Sequence, residues 1–352
     1  MSNTPELLEA LLRVPAPSGY EGPAAAVWRD AAGFAEVSVD ALGSTVARVP
    51  GSGADAPTFA VVGHIDEIGL VVTHIDDDGF LWFGPIGGWD PQILVGQRVV
   101  IAGREGEVAG VLGKKPIHLL KDEQRKQVAK ISDMHIDIGV AGRDEAEGLV
   151  RVGDPAVIAA EPLELPNGRL ASRSLDNRLG SYVALEVARR VAEDGGAAAS
   201  VAGVAAVQEE ITMAGSRTTA FAVDPDVAVA VDVTHATDPP GIDKKENGDH
   251  PLGSGPVIGR GSTLNPAVTD LLIETAAAEG IEHTLEASGR RTGTDADAIQ
   301  IARTGIATGL VSIPLRYMHS TVELVQLSDV EAVIRLLVAV AGRIDADSDF
   351  TR

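Results

Sequence analysis

The chain has 352 residues, 45% of them apolar and 23% charged, which is globular composition with length enough for a large core in one domain or two. A formal charge of −22 argues against nucleic acid and against anionic membrane surfaces, both of which need basic patches. With no cysteine, disulfides and thiolate metal sites are excluded, so any metal must be held by His and carboxylate side chains.

In chain order, Thr4-Pro5-Glu6 has the pattern of a helix start, with Thr as N-cap and Pro at the first helical position. Leu7, Leu8, Leu11 and Leu12 come next at helical spacing. The start lacks the basic and apolar segments of a signal peptide, and no apolar run reaches membrane-spanning length, so a cytoplasmic enzyme is expected. Residues 24–32 form a second expected helix. Residues 36–40 and 45–49 are expected strands turning at Gly43, and Phe59 to Val62 is a buried strand.

From about Leu70 to Glu164 short β-rich runs alternate with glycine turns, at 70–74, 80–83, 98–102, 107–112 and 156–159. This segment is expected to be a small all-β, barrel-like domain (70–164) inserted into an α/β catalytic domain made of residues 1–69 and 165–352. Within it, Lys114 to Lys130 is basic and polar and is expected to be a solvated loop. After Pro166-Asn167-Gly168, helices are expected at 179–191, 216–222, 266–278 and 294–302, with strands at 200–207, 226–233, 281–285 and 308–313. Ser328-Asp329-Val330-Glu331 fits a capping box opening a last helix, 329–344. Alternating strands and helices imply a mostly parallel sheet covered on both faces.

Ligands in an open α/β sheet come from strand ends and the loops after them. Five stretches place an acid or His there. They are Gly63-His64-Ile65-Asp66, Ser174-Leu175-Asp176-Asn177-Arg178, Val207-Gln208-Glu209-Glu210, Val231-Asp232-Val233-Thr234-His235 and Tyr317-Met318-His319-Ser320. Each has an ordinary explanation taken singly: Asp176 as a helix cap, Glu209-Glu210 as a solvated strand end, Asp232 as a turn cap, His319 as an interior imidazole. Together they supply what a two-metal hydrolytic site needs: a shared carboxylate, further ligands for each ion, and a free carboxylate to move a proton.

These stretches resemble the tetrahedral aminopeptidases, dodecameric metallopeptidases that include glutamyl aminopeptidases and endoglucanase-like proteins. The resemblance runs from Pro17-Ser18-Gly19-Tyr20-Glu21 to the last helix, and Asp40-Ala41-Leu42-Gly43 and Gly293-Thr294-Asp295-Ala296 also match the family's patterns. It implies that His64 and Asp232 bind one divalent metal, that Glu210 and His319 bind a second, and that Asp176 bridges them. It further implies Glu209 as general base and acid, Asp66 orienting His64, zinc or cobalt as the metals, peptides as substrates, and a tetrahedral homo-dodecamer. Asn177, where the family often has Asp, and the turn Ile211-Thr212-Met213-Ala214-Gly215-Ser216 depart from the pattern. His235 is expected at most to support Asp232, and His74, His118, His135, His250 and His283 to be structural or superficial. A related metal-dependent deacylase and a non-catalytic assembly protein retaining the fold are the competing readings. A glycan hydrolase built on a bare carboxylate pair leaves His64 and His319 without a task.

Overall fold

The computed structural model describes residues 4–53 and 55–352. Four parallel strands form the centre of an eleven-stranded sheet: Ser200–Ala206, Thr58–His64, Val227–His235 and Ala307–Arg316, in that spatial order. Antiparallel strands extend both sides, Thr45–Val49 and Glu36–Val39 on one, Glu323–Gln326, Arg169–Ser172 and Leu163–Leu165 on the other. Val257–Gly261 pairs with Ala307–Arg316 and carries Thr284–Ser288 beside it. The sheet is therefore mixed, with its parallel part at the centre, where strands buried on both faces read as continuous Val and Ala runs.

Strand alternation separates two cores. Phe59, Val61, Val201, Val229 and Val231 face the helices Glu6–Arg13, Gly22–Ala31, Leu175–Glu193, Pro266–Ala278 and Leu327–Ala341. Ala60, Val62, Ala202, Val204, Ala228 and Ala230 face the smaller helices Ala214–Val223 and Ala296–Ile299. Two glycines permit a close approach between helix and sheet. A Cβ on Gly63 would lie 2.1 Å from the Gly180 carbonyl carbon, and one on Gly180 would lie 2.4 Å from the Val231 oxygen. Without those side chains, helix Leu175–Glu193 presses its first turns against the ends of the central strands.

Between Gly69 and Ile158 six strands close into an antiparallel barrel, in the order Gly69–Ile75, Leu81–Ile86, Met134–Asp137, Gly106–Lys114, Arg98–Gly103, Pro155–Ile158. It has its own apolar interior, including Leu70, Leu81, Ile101, Met134 and Ile136. Among the described residues, no helix is long and apolar enough to cross a membrane.

Several local expectations are corrected. Pro5, not Thr4, occupies the N-cap of Glu6–Arg13, and Thr4 donates both its N–H and its hydroxyl to Glu164. The last helix begins at Leu327 with Gln326 as N-cap and no capping box. Asp329 instead accepts the backbone N–H groups of Gly253 and Gly255. The strand expected at 281–285 lies at Thr284–Ser288, because Ile281 is drawn into the core after helix Pro266–Ala278 while pairing with Val257–Gly261 sets the strand. The helix at 294–302 shrinks to Ala296–Ile299. The segment 114–130 is not wholly loop: Asp122–Arg125 forms one helical turn. Strands Leu163–Leu165, Arg169–Ser172, Val257–Gly261 and Glu323–Gln326 have no counterpart among the sequence expectations, nor do Met134–Asp137 and helix Arg143–Leu149 in the barrel segment.

Candidate metal centre

The carboxyl ends of the central strands deliver the expected residues to one place. His64 is the last residue of Thr58–His64 and pairs in register with Ala206, from which the chain runs on to Gln208, Glu209 and Glu210. Asp232 lies on Val227–His235, in register with Ser312. Asp176 enters from the mouth of helix Leu175–Glu193, and His319 from the turn between Ala307–Arg316 and Glu323–Gln326. Four non-glycine residues in these connections have positive φ: Ser174 (59°), Gln208 (60°), Tyr317 (61°) and His319 (58°). Such conformations cost on the order of 1 kcal/mol or more each, and they cluster where side chains must be aimed.

Asp176 stands between the two imidazoles. Its Oδ1 is 3.3 Å from His64 Nε2, and its Oδ2 is 3.3 Å from His319 Nε2. Asp232 Oδ1 lies 3.9 Å from His64 Nε2, and Glu210 Oε1 lies 3.3 Å from His319 Nε2. Ligand atoms of His64, Asp176 and Asp232 thus fall within 4.8 Å of one another, as do those of Asp176, Glu210 and His319. Glu209 belongs to neither triad, although its Oε2 comes within 3.8 Å of His64 Nε2.

The surrounding contacts hold this arrangement. Asp66 accepts the backbone N–H groups of Glu209 and Glu210, each at 3.1 Å, and its Oδ1 sits 3.4 Å from His64 Nδ1, an ion-pair approach outside hydrogen-bond geometry. His319 Nδ1 is 2.9 Å from the carbonyl oxygen of Gly88, in the chain leaving the barrel strand Leu81–Ile86. Asn177 is engaged at both ends of its amide, which donates to Val231 O and accepts from Gly180 N, both at 2.8 Å. An Asp at this position would face the Val231 carbonyl without a proton to offer, so the departure at 177 suits this chain's own packing.

The electrostatics test whether metal ions fit. Burial works against ionisation of Asp176, yet the two histidines hold it well below the usual carboxylate range. Burial pushes the Glu209 carboxyl up to about 10, and burial also raises Glu210 and Asp232. Burial opposes protonation of His319, but Asp176 and Glu210 raise it to about 11. His64 is raised in the same way by Asp176, Asp66 and Glu209. On their own these groups reach neutrality only by loading protons onto the histidines and the outer carboxyls. Divalent cations would supply that charge and leave neutral imidazoles and ionised carboxylates, the forms that ligate. The donor set is hard, all nitrogen and oxygen, and fits such ions.

Glu323 escaped the sequence, and Asp295 lay in a matched motif without an assigned role. Glu323, fully buried, accepts the Asp176 N–H at 3.1 Å and the His319 N–H at 2.9 Å. Asp295, within Gly293-Thr294-Asp295-Ala296, is buried with neither carboxylate oxygen in hydrogen-bond geometry with a partner among the described residues. Burial pushes it up to about 6. The signal for Glu323 was only an acid at the head of an apolar run. Beyond the ligands opens a cavity of about 740 Å³, whose walls include Met213, Thr234, Leu264, Glu286, Leu310 and Met318. The departing turn at 211–213 and exposed His235 both border it. Of the remaining histidines, His250 bonds Thr284 and His135 packs on Phe80.

Comparison with known proteins shows the family. The M42 glutamyl aminopeptidase family profile matches residues 43–336. A lysyl aminopeptidase of Pyrococcus furiosus is 39% identical over 354 residues, covering 98% of this chain and 99% of its own. The crystal structure of a TET aminopeptidase from a marine sediment archaeon of the Thaumarchaeota superposes with a TM-score of 0.92 at 36% identity, over 97% of each chain. The TET1 peptidase of Pyrococcus horikoshii, described as assembling into a tetrahedron or a large octahedral shell, superposes with a TM-score of 0.84 at 31% identity, over 96% of this chain and 98% of its own. The likeness in sequence and fold runs over nearly the whole length: this chain is a peptidase belonging to the M42 glutamyl aminopeptidase family.

Proposed function

We propose that the protein removes N-terminal residues from peptides with two divalent metal ions per subunit, zinc or cobalt, acting in the cytoplasm. His64 and Asp232 would hold one ion, Glu210 and His319 the other, and Asp176 both. The observation that carries this reading is the position of Asp176, whose two oxygens each lie 3.3 Å from a different histidine. When bound, the ions would polarise the scissile carbonyl and acidify a water between them.

The chain's own residues do the rest. Glu209 stands outside both ligand triads, so its carboxylate is free to take a proton from the water and return it to the leaving amine. Asp66 anchors the backbone of Glu209 and Glu210 together, which fixes the base relative to the neighbouring ligand. The positive φ at Gln208 turns the chain so that these adjacent acids diverge, one toward His64 and one toward His319. Acidic groups around the cavity would hold the substrate's free amine, which restricts cleavage to one residue at a time.

We read residues 1–69 and 165–352 as the hydrolase unit and 70–164 as an inserted β unit serving assembly and substrate access. The barrel's separate apolar interior supports that division, and the contact from Gly88 to His319 supports a role of the insert at the site. The likeness to a peptidase described as forming a tetrahedron supports a tetrahedral dodecamer. The test of the chemistry is Glu209→Gln. Its kcat on an aminoacyl chromogenic substrate is expected to fall by about 10²- to 10⁴-fold, with metal content by mass spectrometry unchanged. Wild-type turnover in that variant would show that the proton is moved by another group.

A further inference from the structure

The relatives do not agree on which N-terminal residue is taken, since the family is called glutamyl and the Pyrococcus furiosus enzyme lysyl. The cavity wall of this chain bears directly on that choice. Glu286 lies on strand Thr284–Ser288, in register with Gly259 of the neighbouring strand, and both line the cavity. A Cβ on Gly259 would meet Leu264 Cδ1 at 2.8 Å and Leu310 Cβ at 3.0 Å. Register partners point to the same face of a sheet, so the Glu286 side chain shares its face with these two leucines.

The Glu286 carboxylate accepts one hydrogen bond, from the Thr234 hydroxyl at 3.0 Å, and no cation pairs with it among the described residues. Thr234 lies two residues beyond Asp232 on strand Val227–His235. The two side chains therefore point the same way, about 7 Å apart. The wall thus runs from a candidate metal ligand, past Leu264 and Leu310 with nothing but hydrogen on Gly259, to a half-buried carboxylate that a neutral hydroxyl holds in place. A long aliphatic stem ending in a cation matches each part of that surface: methylenes on leucine, ammonium or guanidinium on carboxylate. Arg291 also borders the cavity but is exposed, where water and salt screen its charge.

We infer that Glu286 selects substrates whose N-terminal residue is lysine or arginine, with Leu264 and Leu310 packing the stem. This rests on the aminopeptidase reading and narrows it.

The test uses metal-loaded enzyme and the 4-nitroanilides of Lys, Arg, Leu and Glu. In the wild type, kcat/KM for Lys and Arg is expected to exceed that for Leu by about 10-fold or more, with Glu lowest. Glu286→Gln is expected to lower the Lys-to-Leu ratio by about 10- to 100-fold, mainly through KM, and Glu286→Lys to raise Glu above Lys. Wild-type enzyme that cleaves Leu or Glu as well as Lys would overturn the inference alone, as would a Glu286→Gln variant that loses activity equally on all four. Cleavage of none of the four would sink the aminopeptidase reading and this inference with it.

Discussion

Glu323 reaches Asp176 through the backbone: its Oε2 accepts the Asp176 N–H at 3.1 Å, across 147 residues of sequence. Its other oxygen accepts the N–H of His319, so one buried carboxylate ties together the backbone of the shared candidate ligand and of a histidine it faces. Residues that hold ligands in place typically matter 10- to 100-fold in metal affinity. Glu323→Ala is expected to weaken divalent-metal binding by about that factor, read by calorimetric titration of metal-stripped protein. Glu323→Gln should weaken it less, because the amide oxygen keeps one of the two acceptors while its NH2 faces the other N–H. Equal metal affinity in Glu323→Ala and wild type would show that the two N–H contacts do not position the site.

A buried ion cluster anchors the same region from behind. Glu67, next to Asp66, pairs with Arg173 and, at 3.1 Å, with fully buried Arg178. Arg178 also donates to the carbonyls of Leu11, Val14 and Ala16, fastening the first helix to the segment that carries Asp176. Removing one member of such a cluster leaves uncompensated charge and open carbonyls, at about 3–5 kcal/mol. Arg178→Met should lower the urea midpoint accordingly at fixed protein concentration. A loss below about 1 kcal/mol would contradict this role for the cluster.

Asp329 gives a pH dependence remote from the metal centre. Burial pushes its carboxyl up to about 6, from an ordinary value of 3.8, with the N–H groups of Gly253 and Gly255 opposing. The folded chain therefore binds this proton more tightly than the unfolded chain. Its contribution to stability rises as pH falls through 6 and levels off below 4, by about 3 kcal/mol in all. In denaturation measured from pH 8 to pH 4, wild type should gain on Asp329→Asn as the pH falls. A pH-independent difference, or one of opposite sign, would refute it.

The ligand-bearing stretches were legible because central parallel strands read as apolar runs, and an acid or His at their ends has few reasons to be there. Pro266 marked a helix start correctly, with Asn265 capping Ala267 and Val268. Local pattern failed where a distant partner outbid a nearby one. Thr4 looks like a cap in sequence, but Glu164 claims its polar atoms instead. Ser328, the capping position of the expected box, falls inside helix Leu327–Ala341, and Asp329 beside it is taken by the glycine loop at 253–255. Glu323 and Glu286 sit in strands of four and five residues, too short for alternation to expose them, and their roles depend on register with strands far away in sequence.

The central claim is that Asp176 is shared between two metal ions. Anomalous diffraction from zinc- or cobalt-loaded crystals, collected at the metal edge, tests it most directly. Sharing predicts two peaks per subunit, each about 2 Å from a different oxygen of Asp176, one reaching His64 and Asp232 and the other Glu210 and His319. A single peak, or two peaks of which only one touches Asp176, would contradict it.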